Sequence, residues 1–304
     1  MNQSSLSVPI IGYHRSALSQ KFGIPRQPNL VELPTLIEMI APYNTLDAFE
    51  GIENFSHLWI TWHTHHNYLD KTTQSSQVPN ANQGIGESTP NFAAFKPKVR
   101  PPRLGGNTKL GVFATRSTYR PSQLGLSVVK LIKVEGVGDS VTLHISGADM
   151  VDGTPIIDIK PYIAYSDAIS EAVSGFALDK PIVKPVHITE AARHQFMACV
   201  TDNLDQGLKT EDMALIYQLI SQDPRPAYRQ QQSDRVFYMR YKDHDIGFKQ
   251  NRSHDDSSIA SDICNAQLTL QQKASITGEA QIDNQALLIV SVEPVNLDKS
   301  LKSY

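Results

Sequence analysis

Hydrophobic positions in the first half of the chain recur in short, alternating runs, and that period predicts strands. Residues 7–14 carry Val8, Ile10, Ile11 and Tyr13, and residues 57–65 alternate imperfectly. Residues 111–116 (GVFATR) form a short β-prone run. Residues 126–134 (LSVVKLIKV) and 140–146 (SVTLHIS) flank Gly136-Val137-Gly138-Asp139, the pattern of two β-branched strands joined by a Gly-rich turn. Residues 155–160 add a further strand. Several short strands with turn signals and no strong helix predict an antiparallel barrel or sandwich.

The period changes in the second half. Residues 189–200 and 210–221 read as helices. The second should take Thr210 as N-cap, with Glu211 and Asp212 favoured in its first turn by the helix dipole. Its Met213, Ile216, Tyr217 and Ile220 make one apolar stripe. A hairpin is expected over 235–241 and 245–249, and a last strand over 286–292. The organisation predicted is therefore a mainly β domain over 7–165 and a small α+β domain over 185–298. A linker is expected at 166–185, a polar loop at 71–91 and a polar insertion at 251–285.

Composition narrows the function classes. The chain has 304 residues, 40% of them hydrophobic and 19% charged, with a formal net charge of −3. That balance excludes a uniformly basic nucleic-acid coat, a collagen and a wholly disordered chain. The total conceals an asymmetry. Residues 88–134 contain nine Lys and Arg and no Asp or Glu, leaving 19 basic against 31 acidic residues elsewhere. Such a block creates a local cationic potential suited to phosphates, or else a solvated basic face. Two cysteines, Cys199 and Cys264, are too few for a disulfide scaffold or a four-cysteine zinc site. With no basic, apolar leader pattern at the start, they predict a cytoplasmic protein without membrane attachment.

No Rossmann or Walker fingerprint is present: Gly136-Val137-Gly138 leads into a strand and Gly84-Ile85-Gly86 lies in a polar loop. Four of ten histidines, His57, His63, His65 and His66, crowd together. If His63 and His65 share one face of a strand they could chelate a metal, with His144, Asp149 or Asp152 completing the set. Otherwise they line a pocket or the surface. Pro25-Arg26-Gln27-Pro28 is stiffened by its prolines and suits a preorganised polar contact. Arg100-Pro101-Pro102-Arg103-Leu104-Gly105-Gly106-Asn107 leads towards Arg116 and Arg120, which can bind carboxylate or phosphate bidentately. Asp149-Met150-Val151-Asp152-Gly153 is an acidic turn able to accept from an ammonium or ribose hydroxyls.

Together these motifs, with Ala41-Pro42-Tyr43-Asn44, Phe55-Ser56-His57-Leu58-Trp59 and Gln222-Asp223-Pro224-Arg225-Pro226-Ala227-Tyr228-Arg229, resemble the TsaA-like family, which includes the TrmO tRNA (adenine-N6)-methyltransferases. The resemblance covers roughly residues 8–165 and 210–250 plus the last strand. It implies a β-barrel methyltransferase dependent on S-adenosylmethionine, acting as a homodimer. The implied substrate is threonine tRNA carrying N6-threonylcarbamoyl-adenosine beside the anticodon, methylated at that nitrogen.

Position by position, the resemblance implies cofactor contacts at Pro25, Arg26, Gln27, His65, His66, Arg116, Leu126, Asp149, Met150, Val151 and Asp152. It places Asp223, Arg225 and Tyr228 at the catalytic, tRNA-facing side. Arg100, Arg103, Lys109, Arg120 and Arg229 are expected to meet the anticodon stem-loop. No metal is expected. Two positions depart from the family pattern, Ser122 for Asn and His66 for Gln, and both bear on fine cofactor geometry. A metal-dependent barrel enzyme using His63 and His65, and a non-catalytic RNA-binding module, stand as alternatives.

Overall fold

The structure is a computed structural model that describes residues 7–65, 97–201, 207–230, 232, 234–251 and 286–295. The expected loop at 71–91, His66, Cys264 and nearly all of the insertion at 251–285 lie outside the described residues.

Six strands close an antiparallel barrel. They are β1 (Gly12–Arg15), β2 (Pro34–Met39), β3 (His57–His63), β6 (Leu124–Val137), β7 (Ser140–Ser146) and β8 (Pro155–Pro161), in the order β1-β2-β7-β6-β3-β8. Closure runs through a short seam, Gly12 opposite Ile156 and Tyr13 opposite Pro155. The β6–β7 hairpin is longer than the sequence pattern predicts, because pairing continues to Val137 opposite Ser140 and leaves only Gly138-Asp139 in the turn. Gly138 adopts φ 58° there, a conformation that glycine enters without penalty. Ile37, Leu58, Ile60, Val129, Leu143, Ile145 and Ile156 fill the barrel.

Between β3 and β6, β4 (Lys98–Val99) and β5 (Leu110–Gly111) form a two-stranded arm. The expected strand over 111–116 is not formed: Val112–Ala114 is a 3-10 turn. Side chains hold the turn. Thr115 donates Oγ1–H to the Val112 carbonyl at 2.8 Å, and Arg120 donates to the Thr115 carbonyl at 2.7 Å.

After α1 (Ala164–Asp167), a largely exposed stretch leads to a second unit. This has a four-stranded sheet in the order β10 (Phe237–Tyr241), β11 (His244–Gln250), β12 (Leu287–Pro294), β9 (Val186–Ile188), with β9 parallel to β12. Helices α2 (Glu190–Cys199) and α3 (Asp212–Ser221) pack into its core. Thr189 caps α2, its side chain accepting from the Ala192 N–H. The expected Thr210 cap is not formed. Glu211 stands at that position without a side-chain cap, and Asp212 turns inward to the Lys209 N–H, Tyr241 and Lys242. The α3 stripe is as expected at Ile216 and Ile220, with Leu219 also buried and Met213 and Tyr217 packed at its edge.

The loop from β1 to β2 leaves the barrel. Leu18, Val31 and Leu33 are buried in the core of the second unit, with Phe22 and Ile24 packed against it. Gly23 permits this approach: it has φ 99°, and a Cβ there would sit 2.4 Å from Met239 Cγ. The barrel thus lends one loop to the other core, and Pro25-Arg26-Gln27-Pro28 rides on that loop.

Candidate cofactor and RNA site

The loop of residues 16–33 brings Arg26 and Gln27 to the junction of the two cores. The Gln27 Oε1 accepts from Arg116 Nη1 at 2.7 Å, and its Nε2 donates to the Arg26 carbonyl at 2.6 Å. Arg26 donates Nη2–H to the Arg225 carbonyl at 3.2 Å. Although Arg26 is exposed as a residue, nearby protein desolvates its guanidinium and lowers its pKa, against the opposing charge of Asp223. Pro25 beneath them is buried.

A second group lies at the mouth of the barrel. Trp62 donates Nε1–H to Ser127 Oγ at 3.0 Å, and the Ser127 hydroxyl donates in turn to Asp149 Oδ1. The indole fits because residue 125 is glycine: a Cβ there would fall 2.2 Å from Trp62 Cε2. Burial pushes the Asp149 carboxyl up to about 6, against the Ser127 hydrogen bond and the Arg116 charge. The charge of Arg116 therefore couples the loop group to the acidic turn.

The acidic turn hangs from β1. His14 Nδ1 donates to the Val151 carbonyl at 3.0 Å, Asp152 Oδ1 accepts from the Ser16 N–H at 3.0 Å, and the Asp152 N–H donates to the Leu18 carbonyl. Met150 and Val151 are buried. Leu126, 57% exposed, and the solvent-facing Phe113 and Tyr119 are exposed apolar side chains on β6 and on the segment that carries Arg116. His14 is wholly buried, its Nε2 has no partner among the described residues, and desolvation holds its pKa down to about 4.

The expected residues divide by position. Gln27, Arg116 and Asp149 come together as described, while Arg26 turns to the Arg225 carbonyl and Asp152 is held against Ser16 and Leu18. Strand β3 ends at His63, which pairs with Gln123 at 3.1 Å, and His65 sits in the following turn. The two histidines therefore do not share a strand face, which corrects that premise. His144 pairs with Glu135 on the far hairpin. Among the described residues no three His, Cys, Asp or Glu side chains gather into a group able to hold a metal.

On the expected RNA side, Arg100, Arg103 and Lys109 are exposed on the arm, with Arg103 donating to the Asp179 carbonyl. Arg120 spends donors on the carbonyls of Thr115 and Ser117, so it fixes the Arg116 turn. Arg229 lies over the Tyr228 ring, and Tyr228 is 69% exposed. Arg225 and Asp223 behave differently. Arg225 is fully buried and bidentate on Asp223, with Nε–Oδ1 2.7 Å and Nη2–Oδ2 3.0 Å. Lys184 Nζ closes on Asp223 Oδ2 at 2.6 Å. Burial alone would raise the Asp223 pKa, but the hydrogen bonds and charges of Arg225 and Lys184 outweigh it and hold the carboxyl below its ordinary value.

Sequence reasoning missed Ser127, His14 and Lys184. Two carried a signal: Ser127 shares the inward phase of β6 with Val129 and Leu131, and His14 shares that of β1 with Gly12. A polar residue in a core phase asks for a buried partner.

Comparison with known proteins bears on this arrangement. Residues 13–168 match the model of the tRNA-methyltransferase O N-terminal domain, and residues 182–260 that of the TrmO C-terminal domain. The Pseudomonas aeruginosa protein RcsF, whose name ties it to S-adenosylmethionine-dependent methyl transfer, is 39% identical over 79% of this chain and 90% of its own. An Escherichia coli tRNA (adenine(37)-N6)-methyltransferase is 38% identical over 74% of this chain and 85% of its own. A crystal structure of TrmO superposes with a TM-score of 0.61 at 28% identity, covering 95% of this chain and all of that one.

Proposed function

Because this chain belongs to the TrmO family, we propose that it methylates N6 of adenine 37 in tRNA with S-adenosylmethionine. The substrate we propose is threonine tRNA whose adenosine already carries the N6-threonylcarbamoyl group. The observation that supports the reading is the meeting of Gln27 with Arg116, whose charge reaches Asp149, with Arg26 next to Gln27 in the chain and Asp152 in the same turn as Asp149. This donor set matches the cofactor's chemistry: guanidinium groups for its carboxylate, carboxylates for its ammonium or ribose hydroxyls, and the apolar side chain of Leu126 for its base.

The bound cofactor would supply an electrophilic methyl group. The chain's residues supply position: Gln27 holds the Arg116 guanidinium, Arg120 holds the turn beneath it, and β1 holds the acidic turn. Such alignment lowers the barrier by fixing a near-attack geometry in advance. The exposed arm with Arg100, Arg103 and Lys109 suits the anticodon-stem phosphates, and Tyr228 with Arg229 suits the modified base. Asp223 and Arg225 contribute to catalysis by fixing the backbone that leads to Tyr228. A carboxylate engaged by two cations is a weak base, so Asp223 is not the group that removes the N6 proton.

Phe113 and Tyr119 are exposed and flank Arg116 in the chain, and Leu126 is exposed on β6. The homodimer that the family resemblance implies is part of the proposal, and such apolar side chains suit coverage by a second copy. No helix among the described residues is long and apolar enough to cross a membrane. A cytoplasmic location follows from the tRNA substrate proposed.

The test is incubation with labelled S-adenosylmethionine and tRNA with or without the threonylcarbamoyl group. Label should enter only the modified tRNA; transfer to both alike refutes the substrate assignment. Arg116→Ala should weaken cofactor binding by roughly tenfold or more, the worth of one charge-assisted hydrogen bond.

A further inference from the structure

We propose that Lys184 is a positioning residue for cofactor binding, acting through Asp223 and Arg225 on the Arg26–Gln27 loop. The inference rests on the cofactor role proposed above for that loop.

Three features of the contacts support it. First, Lys184 is held at its backbone: its N–H donates to the Ser221 carbonyl at 2.8 Å, and the neighbouring Pro185 carbonyl accepts from Leu287. Its ammonium is thereby delivered to Asp223 from a fixed point rather than from a loose linker. Its side chain is only 17% exposed, so water competes weakly for it.

Second, Asp223 occupies a left-handed backbone conformation, φ 45°, unusual for a residue with a side chain. The conformation is maintained because both carboxylate oxygens are engaged, Oδ1 by Arg225 and Oδ2 by Arg225 and Lys184. With its guanidinium fixed two residues on, Arg225 has its carbonyl fixed as well.

Third, that carbonyl accepts from Arg26 Nη2, and Gln230 Nε2 approaches the same oxygen at 3.4 Å. Arg26 is covalently followed by Gln27, which holds Arg116. A cation in the connection between the two units thus determines, through an unbroken set of contacts, where the two guanidiniums of the proposed cofactor site stand. The C-terminal unit supports the cofactor site of its own chain in addition to any contact with RNA.

The experiment uses the full chain as wild type, Lys184→Met, Lys184→Gln and Lys184→Arg. S-adenosylmethionine is titrated calorimetrically, and amide exchange is followed at residues 23–30 without cofactor. Methionine preserves the length of the stem, and glutamine keeps a donor without the charge; either variant suffices if the other folds poorly. Lys184→Met should weaken cofactor binding roughly three- to tenfold and speed exchange in the loop, with arginine restoring both. In steady state its KM for S-adenosylmethionine should rise while its KM for tRNA stays. Wild-type affinity and wild-type loop exchange in Lys184→Met and Lys184→Gln would overturn the proposal, as would a defect confined to the tRNA KM. A wild-type protein that gives no heat with the cofactor would instead remove the functional reading on which the proposal rests.

Discussion

Two aspartates lie in sheltered places in this molecule, and their surroundings drive them in opposite directions. Asp149, at the barrel mouth, has one neutral hydroxyl as its side-chain partner, and burial pushes it up to about 6. Asp223, in the second unit, has two cations within 3.0 Å and lies below its ordinary value. Desolvation acts on both; the difference is whether a counter-charge is built beside the carboxylate. The barrel mouth keeps a carboxyl that burial holds protonated to higher pH than usual. The second unit keeps a permanent ion cluster that fixes backbone.

The largest expected effect breaks the second half of that comparison. Asp223→Ala strands the fully buried Arg225 without its counter-ion, and its Nη1 already has no partner. Breaking a buried pair in this way costs about 3–5 kcal/mol. Chemical denaturation should show that loss, and a variant within 1 kcal/mol of wild type would mean that the cluster does not hold the fold (~1 kcal/mol being the worth of an exposed pair).

A smaller effect sharpens the first half. Asp149 is raised from 3.8 to about 6, so its proton is bound more tightly in the folded state. Stability from this group is complete below about 3.8 and is lost as pH rises to about 6. His14 runs the other way. Its value falls from 6.5 to about 4, so its contribution is complete above 6.5 and is lost as pH falls towards 4. Each shift corresponds to about 3 kcal/mol. The two slopes oppose each other in the wild type between about pH 4 and 6. Asp149→Asn, which leaves an acceptor for Ser127, should therefore lose stability steeply as pH falls through that window, and should gain on wild type as pH rises. A His14→Gln chain should show the reverse slope. Unfolding free energies measured across that window decide it; parallel curves for all three would show that neither group titrates differently on folding.

Much of this arrangement was legible in the order of residues, and the failures have physical causes. Alternation revealed the long hairpin strands because one face of each lines the barrel. It did not reveal β2, whose inward phase starts with Thr35 and whose outward phase carries Leu36, so polarity no longer tracks side. Residues 111–116 had β-prone composition, but side chains of Thr115 and Arg120 capture the carbonyls that a strand would have offered to a neighbour. The residues proposed for the cofactor site were named by resemblance, and the partners that hold them were only partly legible. Ser127 and His14 stand out as polar residues in apolar phases. Lys184 does not, since nothing in a linker sequence says that its ammonium meets a carboxylate 39 positions on. The same blindness applies to Arg225: a motif shows which residue is present, not that its guanidinium faces inward.

A still smaller effect concerns the indole that meets Ser127 beside Asp149. In Gly125→Ala the new Cβ must displace the Trp62 indole, which stacks on the backbone there and reaches Ser127. Overpacking of this kind costs about 1–3 kcal/mol. The shift should be seen in Trp fluorescence as well as in melting temperature, and it should alter little of the Asp223 cluster, which is linked to this group only at a distance, through Arg116, Gln27, Arg26 and Arg225, among the described residues. Loss of both in one variant would join the two aspartates' surroundings into a single cooperative network.

The smallest effect on stability comes from the arm, where the comparison turns from buried charge to exposed charge. Lys109 is exposed and lies on the segment that has no acidic residue, so its removal costs the fold at most about 0.5 kcal/mol. Its work is at long range: an exposed cation neutralises a phosphate and releases a counter-ion. Lys109→Ala should weaken tRNA binding uniformly across sequences and reduce the slope of log K against log salt by roughly one. The Asp223 and Asp149 variants should leave that slope unchanged, because a carboxylate neutralises no phosphate and releases no counter-ion. A binding isotherm series at several salt concentrations distinguishes these outcomes. If Lys109→Ala keeps the wild-type slope, the arm is a solvated face and the RNA docks elsewhere; if the slope falls, the exposed arm that carries Arg100, Arg103 and Lys109 meets the anticodon-stem phosphates.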